Sequence, residues 1–208
     1  MNPKIQKPVS FIARHKEGDF LVNLAGNYDY LELPYYISQD MELEGKKIHP
    51  TCEEMLDAYI TPLFLEKAKI NGLPIPEYYI SNGYFEPPVI VDPINPFMER
   101  SRVVLHYPRM KSVGRSMTRN FTYAVCCQDI PAGASVRFFR AVFGWCLVPR
   151  YRDAARAIWE VFHIPLAKVR VIVLNDGRVL LSDISQLYLK DLKKREMQHL
   201  EGVVEWVE

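Results

Sequence analysis

The order of apolar and polar residues predicts alternating strands and helices in the N-terminal third of the chain. Two short apolar runs, 11–14 and 19–24, flank a Lys-Glu-Gly-Asp turn and predict two strands. A helix is expected between Pro34, which suits a first helical turn, and Gly45, which suits the position after a last turn. Residues 46–49 predict a further short strand. This succession is typical of an α/β layer unit.

A second helix is predicted from a capping-box signal. Thr51 and Glu54 have the spacing at which a hydroxyl and a carboxylate each accept a hydrogen bond from a free backbone amide. Pro62 interrupts the helical pattern, and Thr61 can cap a restarted segment that runs to Gly72.

The middle of the chain has a different pattern. Six prolines between residues 73 and 100 exclude a long helix and favour extended backbone. The predicted elements of this region are a strand over 89–91, a strand over 101–107, a polar basic loop over 111–120 and a strand over 121–128. The apolar and aromatic segment 135–148 fits either a helix or a strand.

The last third predicts a helix, a hairpin and a closing helix. Asn175-Asp176-Gly177 is a strong turn signal, because these residues tolerate positive φ. The predicted elements are a helix over 151–163, strands over 167–174 and 179–184, and a helix over 191–207. Together with the first two thirds, this pattern predicts a mixed α/β (α+β) fold. We expect a single domain over 1–208, within which lobes 1–72 and 101–208 can be joined by the proline-rich segment 73–100.

Composition and charge exclude several classes of protein. Hydrophobic residues make up 49% of the 208-residue chain, which suits a globular core. Twenty-six Lys+Arg against twenty-five Asp+Glu leave a net charge of +1, which argues against nucleic acid as a partner. The start of the chain has no apolar signal region, and no apolar run is long enough to span a membrane, so we expect a cytoplasmic protein.

Cysteine and histidine spacing predicts no metal site. The four cysteines include no CxxC pair, and the neighbours Cys126 and Cys127 should point to opposite faces of a strand. Free thiols in a reducing cytosol are therefore expected. The five histidines are scattered, with no HxH or HxxxH pair. We predict no cofactor, and no residue can be assigned a catalytic role.

Two groups of polar residues are candidates for binding an anionic group or substrate. The first follows a predicted strand near the N-terminus, where α/β folds often bind ligands; it comprises Asn23, Asn27 and Tyr28. The second concentrates cations and hydroxyls, which bind phosphate or carboxylate groups; it comprises Lys111, Ser112, Arg115, Ser116, Arg119 and Asn120. The alternatives are a turn for the first group and a solvated loop for the second. We expect replacement of Arg115 and Arg119 by Ala to abolish binding without loss of stability.

Two blocks of sequence together resemble a known domain. They comprise 20–24, 28–31, 35–38 and 45–50 near the N-terminus, and 154–166, 181–185 and 189–192 towards the C-terminus. The pattern is similar to the N-terminal domain that precedes the core of RimK-like ATP-grasp ligases. The resemblance implies an α+β domain associated with ATP-dependent carboxylate–amine ligation. It does not extend to the nucleotide-binding lysines and the Mg²⁺-binding cluster that an ATP-grasp core would supply.

The resulting hypothesis is a non-catalytic accessory domain. It would recognise an anionic substrate, a peptide or a separate ATP-grasp ligase. Two alternatives stay open: a small enzyme of unrecognised type that uses a cysteine or carboxylate, and a weak nucleic-acid binder, which would show a steep salt dependence. The sequence does not indicate an oligomeric state.

Overall fold

Six α-helices and eleven β-strands are formed by residues 11–94 and 101–207, which the computed structural model describes. The helices are α1 (Leu33–Leu43), α2 (Cys52–Tyr59), α3 (Thr61–Ile70), α4 (Met110–Met117), α5 (Arg152–Phe162) and α6 (Lys194–Val203). The strands are β1 (Ile12–His15), β2 (Leu21–Asn23), β3 (Ile48–His49), β4 (Tyr78–Ser81), β5 (Val89–Pro93), β6 (Arg102–Val104), β7 (Val125–Asp129), β8 (Ser135–Val142), β9 (Leu166–Val173), β10 (Val179–Ser185) and β11 (Val204–Trp206). The predicted mixed α+β class is confirmed. Within the described ranges, no helix has the length and apolar character needed to cross a bilayer.

The strands form three sheets. The end sheet has the order β11-β1-β2-β3 and joins strands from the two ends of the described chain. The middle sheet has the order β4-β7-β5-β6, and the C-terminal sheet has the order β10-β9-β8. The pair β2–β3 is parallel, and the other strand pairs in these sheets are antiparallel.

The N-terminal helices begin and end where the local signals predict. Pro34 lies in the first turn of α1, and Gly45 follows its last turn with a φ of 74°. The capping box of α2 is complete: the Glu54 amide donates to Thr51 Oγ1 at 3.2 Å, and the Thr51 amide donates to Glu54 Oε2 at 2.7 Å. Both signals act within a few residues, so they set these helix ends without the help of tertiary packing.

The predicted hairpin is also confirmed. Strands β9 and β10 pair in antiparallel register around Asn175-Asp176-Gly177. Gly177 has a φ of 89°, which an L-residue with a Cβ rarely adopts.

The proline-rich segment contributes two strands to the middle sheet. β4 and β5 both pair with β7, and β5 contains the predicted strand 89–91. Residues 95–100 of this segment lie outside the described ranges. Pro93 is the last residue of β5 and pairs with Val125 of β7, whereas the other described prolines here lie outside the strands, so extended backbone and sheet pairing coexist.

The predicted loop over 111–120 is wrong, because most of it is helix α4. The spacing of Met110, Val113, Gly114 and Met117 places small and apolar groups on one helical face. That face packs on the core of the middle sheet. The high density of charge and hydroxyl groups hid this periodicity in the sequence.

The predicted strand over 121–128 begins later, at β7. Asn120 and Phe121 have φ values of 61° and 66°, which exclude extended backbone at the start of the segment. The Thr118 hydroxyl oxygen accepts a hydrogen bond from the Phe121 amide at 2.7 Å and fixes this turn. The ambiguous segment 135–148 is a strand as far as Val142.

The predicted closing helix over 191–207 is too long at both ends. It begins at Lys194 and ends at Val203, where the chain becomes strand β11 and pairs with β1. Val204 is buried in the core beneath the end sheet, whereas Val207 is about half exposed. The valine at the start of this segment therefore packs as part of a sheet and not on the face of a helix.

The core lies between the C-terminal sheet and helices α2, α3 and α5. The rings of Phe64 and Phe162 meet there with centroids 4.8 Å apart. Cys126 belongs to this core, whereas its neighbour Cys127 belongs to the core of the middle sheet. The predicted alternation of the two cysteines across a strand is confirmed, and all four thiols are free.

Candidate functional site

A cleft of about 150 Å³ opens where the middle sheet meets the C-terminal sheet. The end of β5 forms one wall and the end of β10 forms the other, while α2, the start of α3 and the loop after β2 contribute the remaining sides. The described lining residues are Tyr28, Asp29, Tyr30, Met55, Leu56, Tyr59, Ile60, Thr61, Asp92, Pro93, Ile94, Ser101, Asp183, Ile184, Ser185 and Gln186. Carboxylates, hydroxyls and tyrosine rings thus converge in one concave site.

Asp92 of the cleft wall forms a two-pronged ion pair with Arg170 of β9. Arg170 Nη1 lies 2.8 Å from Oδ1 and Nη2 lies 2.8 Å from Oδ2. Both side chains are at least 95% buried. Burial alone would lower the pKa of Arg170, but the carboxylates of Asp92 and Asp183 outweigh it and raise the pKa, so the guanidinium stays charged.

Further hydrogen bonds complete this pair and join the two sheets. Gln128 of β7 donates from Nε2 to Asp92 Oδ2 at 2.7 Å and accepts a bond from the Ser182 hydroxyl of β10 at 2.8 Å. Arg170 also donates to the hydroxyl oxygens of Ser182 and Ser101, each at 2.8 Å. We call Asp92, Gln128, Arg170, Ser182 and Asp183 the polar seam. These five residues satisfy one another's hydrogen-bonding groups across the contact between the two sheets.

Asp183 is the member of the polar seam that faces the cleft most openly. Its Oδ1 accepts a hydrogen bond from the Thr61 hydroxyl at 3.1 Å, and its Oδ2 lies 3.9 Å from Arg170 Nη1. Burial, reinforced by the charge of Asp92, raises the pKa of Asp183 against the opposing effect of Arg170. A cationic group in the cleft would favour the charged form of this carboxylate.

The electrostatic character of the cleft follows from these contacts. Arg170 neutralises Asp92, whereas Asp183 keeps only a distant contact with the same guanidinium. Asp29 adds a second partly exposed carboxylate at the rim. The described lining residues include no lysine or arginine. This surface therefore suits a ligand with an amine or guanidinium group.

The first group of candidate residues, Asn23, Asn27 and Tyr28, supports the cleft from behind. Asn23 is fully buried and donates from Nδ2 to the Pro34 carbonyl at 2.9 Å and to Ser38 Oγ at 3.1 Å. The Tyr28 hydroxyl donates to the Asn23 carbonyl at 2.9 Å, and Asn27 Oδ1 accepts from the Asp29 amide at 3.3 Å. Their polar groups are committed to the loop, and Tyr28 lines the cleft with its ring.

The second group lies on and just after α4. Ser112 and Ser116 line a shallow hollow of about 420 Å³ over β6, and Ser112 donates to the Arg109 carbonyl at 3.0 Å. Arg115 donates from Nε to Asn120 Oδ1 at 3.1 Å at the end of the helix. The described lining of the hollow does not include Lys111, Arg115, Arg119 or Asn120.

The hollow contains two arginines that the sequence did not single out. Arg102 and Arg109 line it beside the serines, and we call these four residues together the arginine–serine hollow. Once 110–117 is read as a helix, the spacing of Arg109, Ser112 and Ser116 reveals a shared face. Ser101 lines both the hollow and the cleft, so the two sites adjoin. Guanidinium and hydroxyl donors in one concavity suit a carboxylate or phosphate.

The histidines are less scattered in space than in sequence. Both His49 Nδ1 and His163 Nδ1 approach Glu54 Oε1, at 3.0 Å and 2.7 Å. Burial alone would raise the pKa of Glu54, but hydrogen bonds from the two histidines and from the Thr51 amide lower it to about 2. Sequence spacing did not reveal this cluster because its members belong to three separate elements.

The four cysteines lie in surroundings that favour the protonated thiol. Burial raises the pKa of Cys52 to about 11 and that of Cys127 to about 12, and it also raises the pKa of Cys126 and Cys146. The protonated thiol is the unreactive form, so these residues suit packing better than catalysis.

No protein-family model and no curated protein matches the sequence. Solved structures of ATP-grasp ligases do match the fold. A RimK-domain ATP-grasp protein from Sphaerobacter thermophilus has a TM-score of 0.62 at 15% identity, covering 89% of this chain and 78% of that one. D-alanine–D-alanine ligase from Helicobacter pylori has a TM-score of 0.59 at 14% identity, covering 84% and 68%. The fold is therefore similar to that of ATP-grasp ligases.

A third similar structure is the ATP-grasp ligase PsnB, solved with a precursor peptide and AMPPNP. Its TM-score is 0.51 at 15% identity, and the match covers 81% of this chain and 61% of PsnB. The chain thus spans about three fifths of the length of PsnB. Because all these identities are low, the comparisons establish the fold alone. The narrower resemblance to the domain that precedes an ATP-grasp core stays a prediction.

Proposed function

We propose that this chain binds a peptide on an ATP-grasp-ligase-like fold and does not itself make a bond. The observation that carries this proposal is the closed ion pair of Asp92 and Arg170 beside the cleft. Each of these charged groups is buried and fully engaged by protein partners. Such groups hold two sheets together but are poorly placed to exchange partners during a reaction.

The chemistry of the two adjoining sites favours a ligand with charges of both signs. Asp183 and Asp29 in the cleft suit a cationic group, whereas Arg102 and Arg109 in the arginine–serine hollow suit an anionic one. Ser101 lies between them and can hydrogen-bond to a backbone amide or carbonyl. A peptide offers both charges on an extended chain. PsnB, which shares the fold, was solved with a peptide.

In this proposal the chain is an accessory protein. A separate ATP-grasp ligase would perform the ligation, and this chain would hold the peptide or contact the ligase. The alternative is that the chain binds a nucleotide and catalyses ligation itself. ATP-grasp ligases of similar fold have been solved with ATP, ADP or AMPPNP, so the alternative names ATP as the nucleotide to test.

Binding can be tested with labelled peptides and fluorescence anisotropy. The probe is a fluorescent hexapeptide of alternating Lys and Glu, compared with a neutral Gly-Ser hexapeptide. We expect the charged peptide to bind at least about tenfold more tightly, because hydrogen bonds to charged groups contribute about 1.5–3 kcal/mol each. Asp183→Asn and the double variant Arg102→Ala/Arg109→Ala should each weaken binding about tenfold.

The control is Arg178→Ala, which removes an exposed arginine at the opposite end of β10 and should leave affinity unchanged. Equal affinity of the two peptides would refute the proposal. The double variant Arg115→Ala/Arg119→Ala tests the anion site that the sequence predicts. If this variant abolishes binding and Arg102→Ala/Arg109→Ala does not, the anion site lies at the end of α4 and not in the arginine–serine hollow.

Bond formation can be tested separately by phosphate release. The purified protein, the charged peptide, an amino acid and Mg·ATP should release no phosphate above background. Release that disappears in Asp183→Asn would establish catalysis and overturn the accessory role.

A further inference from the structure

A second cluster of chemically capable side chains lies away from the cleft. His49 is the last residue of β3, Glu54 lies in the first turn of α2, and His163 caps the C-terminal end of α5 with a φ of 49°. Three elements that are distant in sequence therefore bring two imidazoles and one carboxylate together. One ligand atom of each lies within 4.8 Å of the others.

The distances within the cluster are close to those of a metal centre. Both imidazole Nδ1 atoms lie within 3.0 Å of a single carboxylate oxygen of Glu54. Zinc bonds of about 2.0–2.2 Å to such ligands place neighbouring ligand atoms about 3.3 Å apart in a tetrahedral site. Lengthening the two contacts between the histidines and Glu54 by a few tenths of an ångström would bring them to this spacing, and all three ligand atoms already lie within 4.8 Å of one another.

The surroundings hold these side chains in place. The Thr51 amide donates to Glu54 Oε2 at 2.7 Å, so the capping box fixes the carboxylate. Phe20 meets the His49 ring edge-on at 5.0 Å, and Trp159 meets the His163 ring edge-on at 5.7 Å. A hydrogen bond to a ligating carboxylate and an apolar wall are the outer features that orient metal ligands.

The cluster also remains open to solvent. The side chains of His49, Glu54 and His163 are 26%, 12% and 38% exposed. An ion can therefore enter, and water can occupy a fourth ligand position. Two imidazoles and one carboxylate with an open position form a ligand set that zinc uses in proteins.

We propose that His49, Glu54 and His163 form a binding site for one zinc-class divalent cation. The ion would join β3, α2 and α5. Because the three ligands meet only in the folded state, binding would also stabilise the fold. Neither the sequence spacing nor the proposed peptide site requires this metal, so the two proposals stand or fall independently.

The experiment uses protein stripped with a chelator and titrated with Zn²⁺ against a chromophoric competitor. We expect one equivalent of Zn²⁺ to bind per chain and to raise the melting temperature. His163→Asn preserves the left-handed backbone, since Asn tolerates positive φ, and should weaken binding at least about tenfold. Glu54→Gln should act similarly while its amide oxygen still accepts the Thr51 bond. His106→Asn replaces an exposed histidine elsewhere and is the matched control.

Circular dichroism of each metal-free variant checks that it is folded. If wild-type protein binds no stoichiometric Zn²⁺, the cluster is only a hydrogen-bonded His-Glu-His group and the proposal is wrong. The same conclusion follows if folded His163→Asn binds Zn²⁺ as tightly as the wild type. Equal weakening by His106→Asn would indicate adventitious surface binding.

Discussion

The carboxylate of Asp183 lies in surroundings that compensate only part of the cost of burying its charge. Burial and the nearby Asp92 raise its pKa, while Arg170 at 3.9 Å opposes them. Cys126 and Tyr59 also lie near this carboxylate and remain uncharged at neutral pH. The charged form of Asp183 is therefore less favourable in the folded state than in the unfolded chain, where Asp titrates near pH 4.

This difference predicts how stability depends on pH. A raised carboxylate pKa gives stability that is fully present below the unfolded pKa and is lost as pH rises through the folded pKa. Asp183→Asn removes the titration but keeps an oxygen that accepts the Thr61 bond. We expect the stability of the variant relative to wild type to increase from pH 4 upwards. Urea unfolding at several pH values measures the free energy of unfolding of both proteins. A difference between the two free energies that does not change with pH would contradict the prediction.

The surroundings of Asn23 show a structural use for a residue that the sequence also marks as a binding candidate. Asn23 was a candidate for ligand binding because polar groups that follow a strand often contact ligands. Its amide instead satisfies the Pro34 carbonyl and Ser38 inside the protein. A polar residue that caps an internal backbone group and one that awaits a ligand have the same appearance in a sequence, because only packing decides which partner is present.

At the scale of elements, α4 shows the competition between charge and periodicity. Its buried face is narrow and includes Gly114, a residue with low helix propensity. A Cβ at Gly114 would lie 2.8 Å from the carbonyl oxygen of Gly83. The glycine therefore allows a close approach between the helix and the loop before β5.

Two glycine substitutions test this explanation. Gly114→Ala should destabilise the protein by about 1–3 kcal/mol, because the methyl group overlaps backbone and the helix must shift. Gly202→Ala in α6 is the matched control, since its Cβ would meet no atom within 4 Å; it should stabilise by up to about 1 kcal/mol. Thermal and urea unfolding measure both. Stabilisation of similar size in both variants would show that the contact with Gly83 is unimportant.

Elements with strong local signals were predictable, and elements set by distant contacts were not. The capping box at Thr51 and the turn at Gly177 act within a few residues, so both appear correctly in the sequence. The end of α6 depends on the pairing of β11 with β1, nearly the whole chain away. No window of sequence contains both partners of such a pair.

At the scale of the whole molecule, the polar seam joins the middle sheet to the C-terminal sheet. Asp92 comes from the first and Arg170 from the second, and each is buried. An ion pair of this kind contributes little net stability when intact but leaves a costly buried charge when one partner is removed. The seam thus favours one particular arrangement of the two sheets.

A mutant cycle tests this role. Arg170→Met should destabilise by about 3–5 kcal/mol, because Asp92 is left buried without its partner. The double variant Asp92→Leu/Arg170→Met should recover much of that loss. Urea unfolding followed by circular dichroism measures the wild type, the single variants Arg170→Met and Asp92→Leu, and the double variant. A loss in the double variant equal to the sum of the single losses would show that the two charges do not interact.

The candidate site was largely hidden from the sequence for the same reason. Asp92 is far in the chain from Arg170 and Asp183, which face each other across the β9–β10 hairpin, and each alone is an ordinary charged residue in an apolar run. Tyr28, Ser112 and Ser116 were identified beforehand because they lie beside predicted strand ends or in a dense polar segment. The meeting of the cleft and the arginine–serine hollow at Ser101 depends on how the sheets pack.

The end sheet has a consequence for how the protein is made. β1 pairs on one side with β2 and on the other with β11, through contacts such as Ala13 with Trp206. A ribosome synthesises Ile12–His15 early and Val204–Trp206 almost two hundred residues later. One edge of β1 therefore remains unpaired until β11 has been synthesised. An unpaired strand edge can associate with other nascent chains. Chaperone capture during synthesis should accordingly persist until β11 has left the exit tunnel.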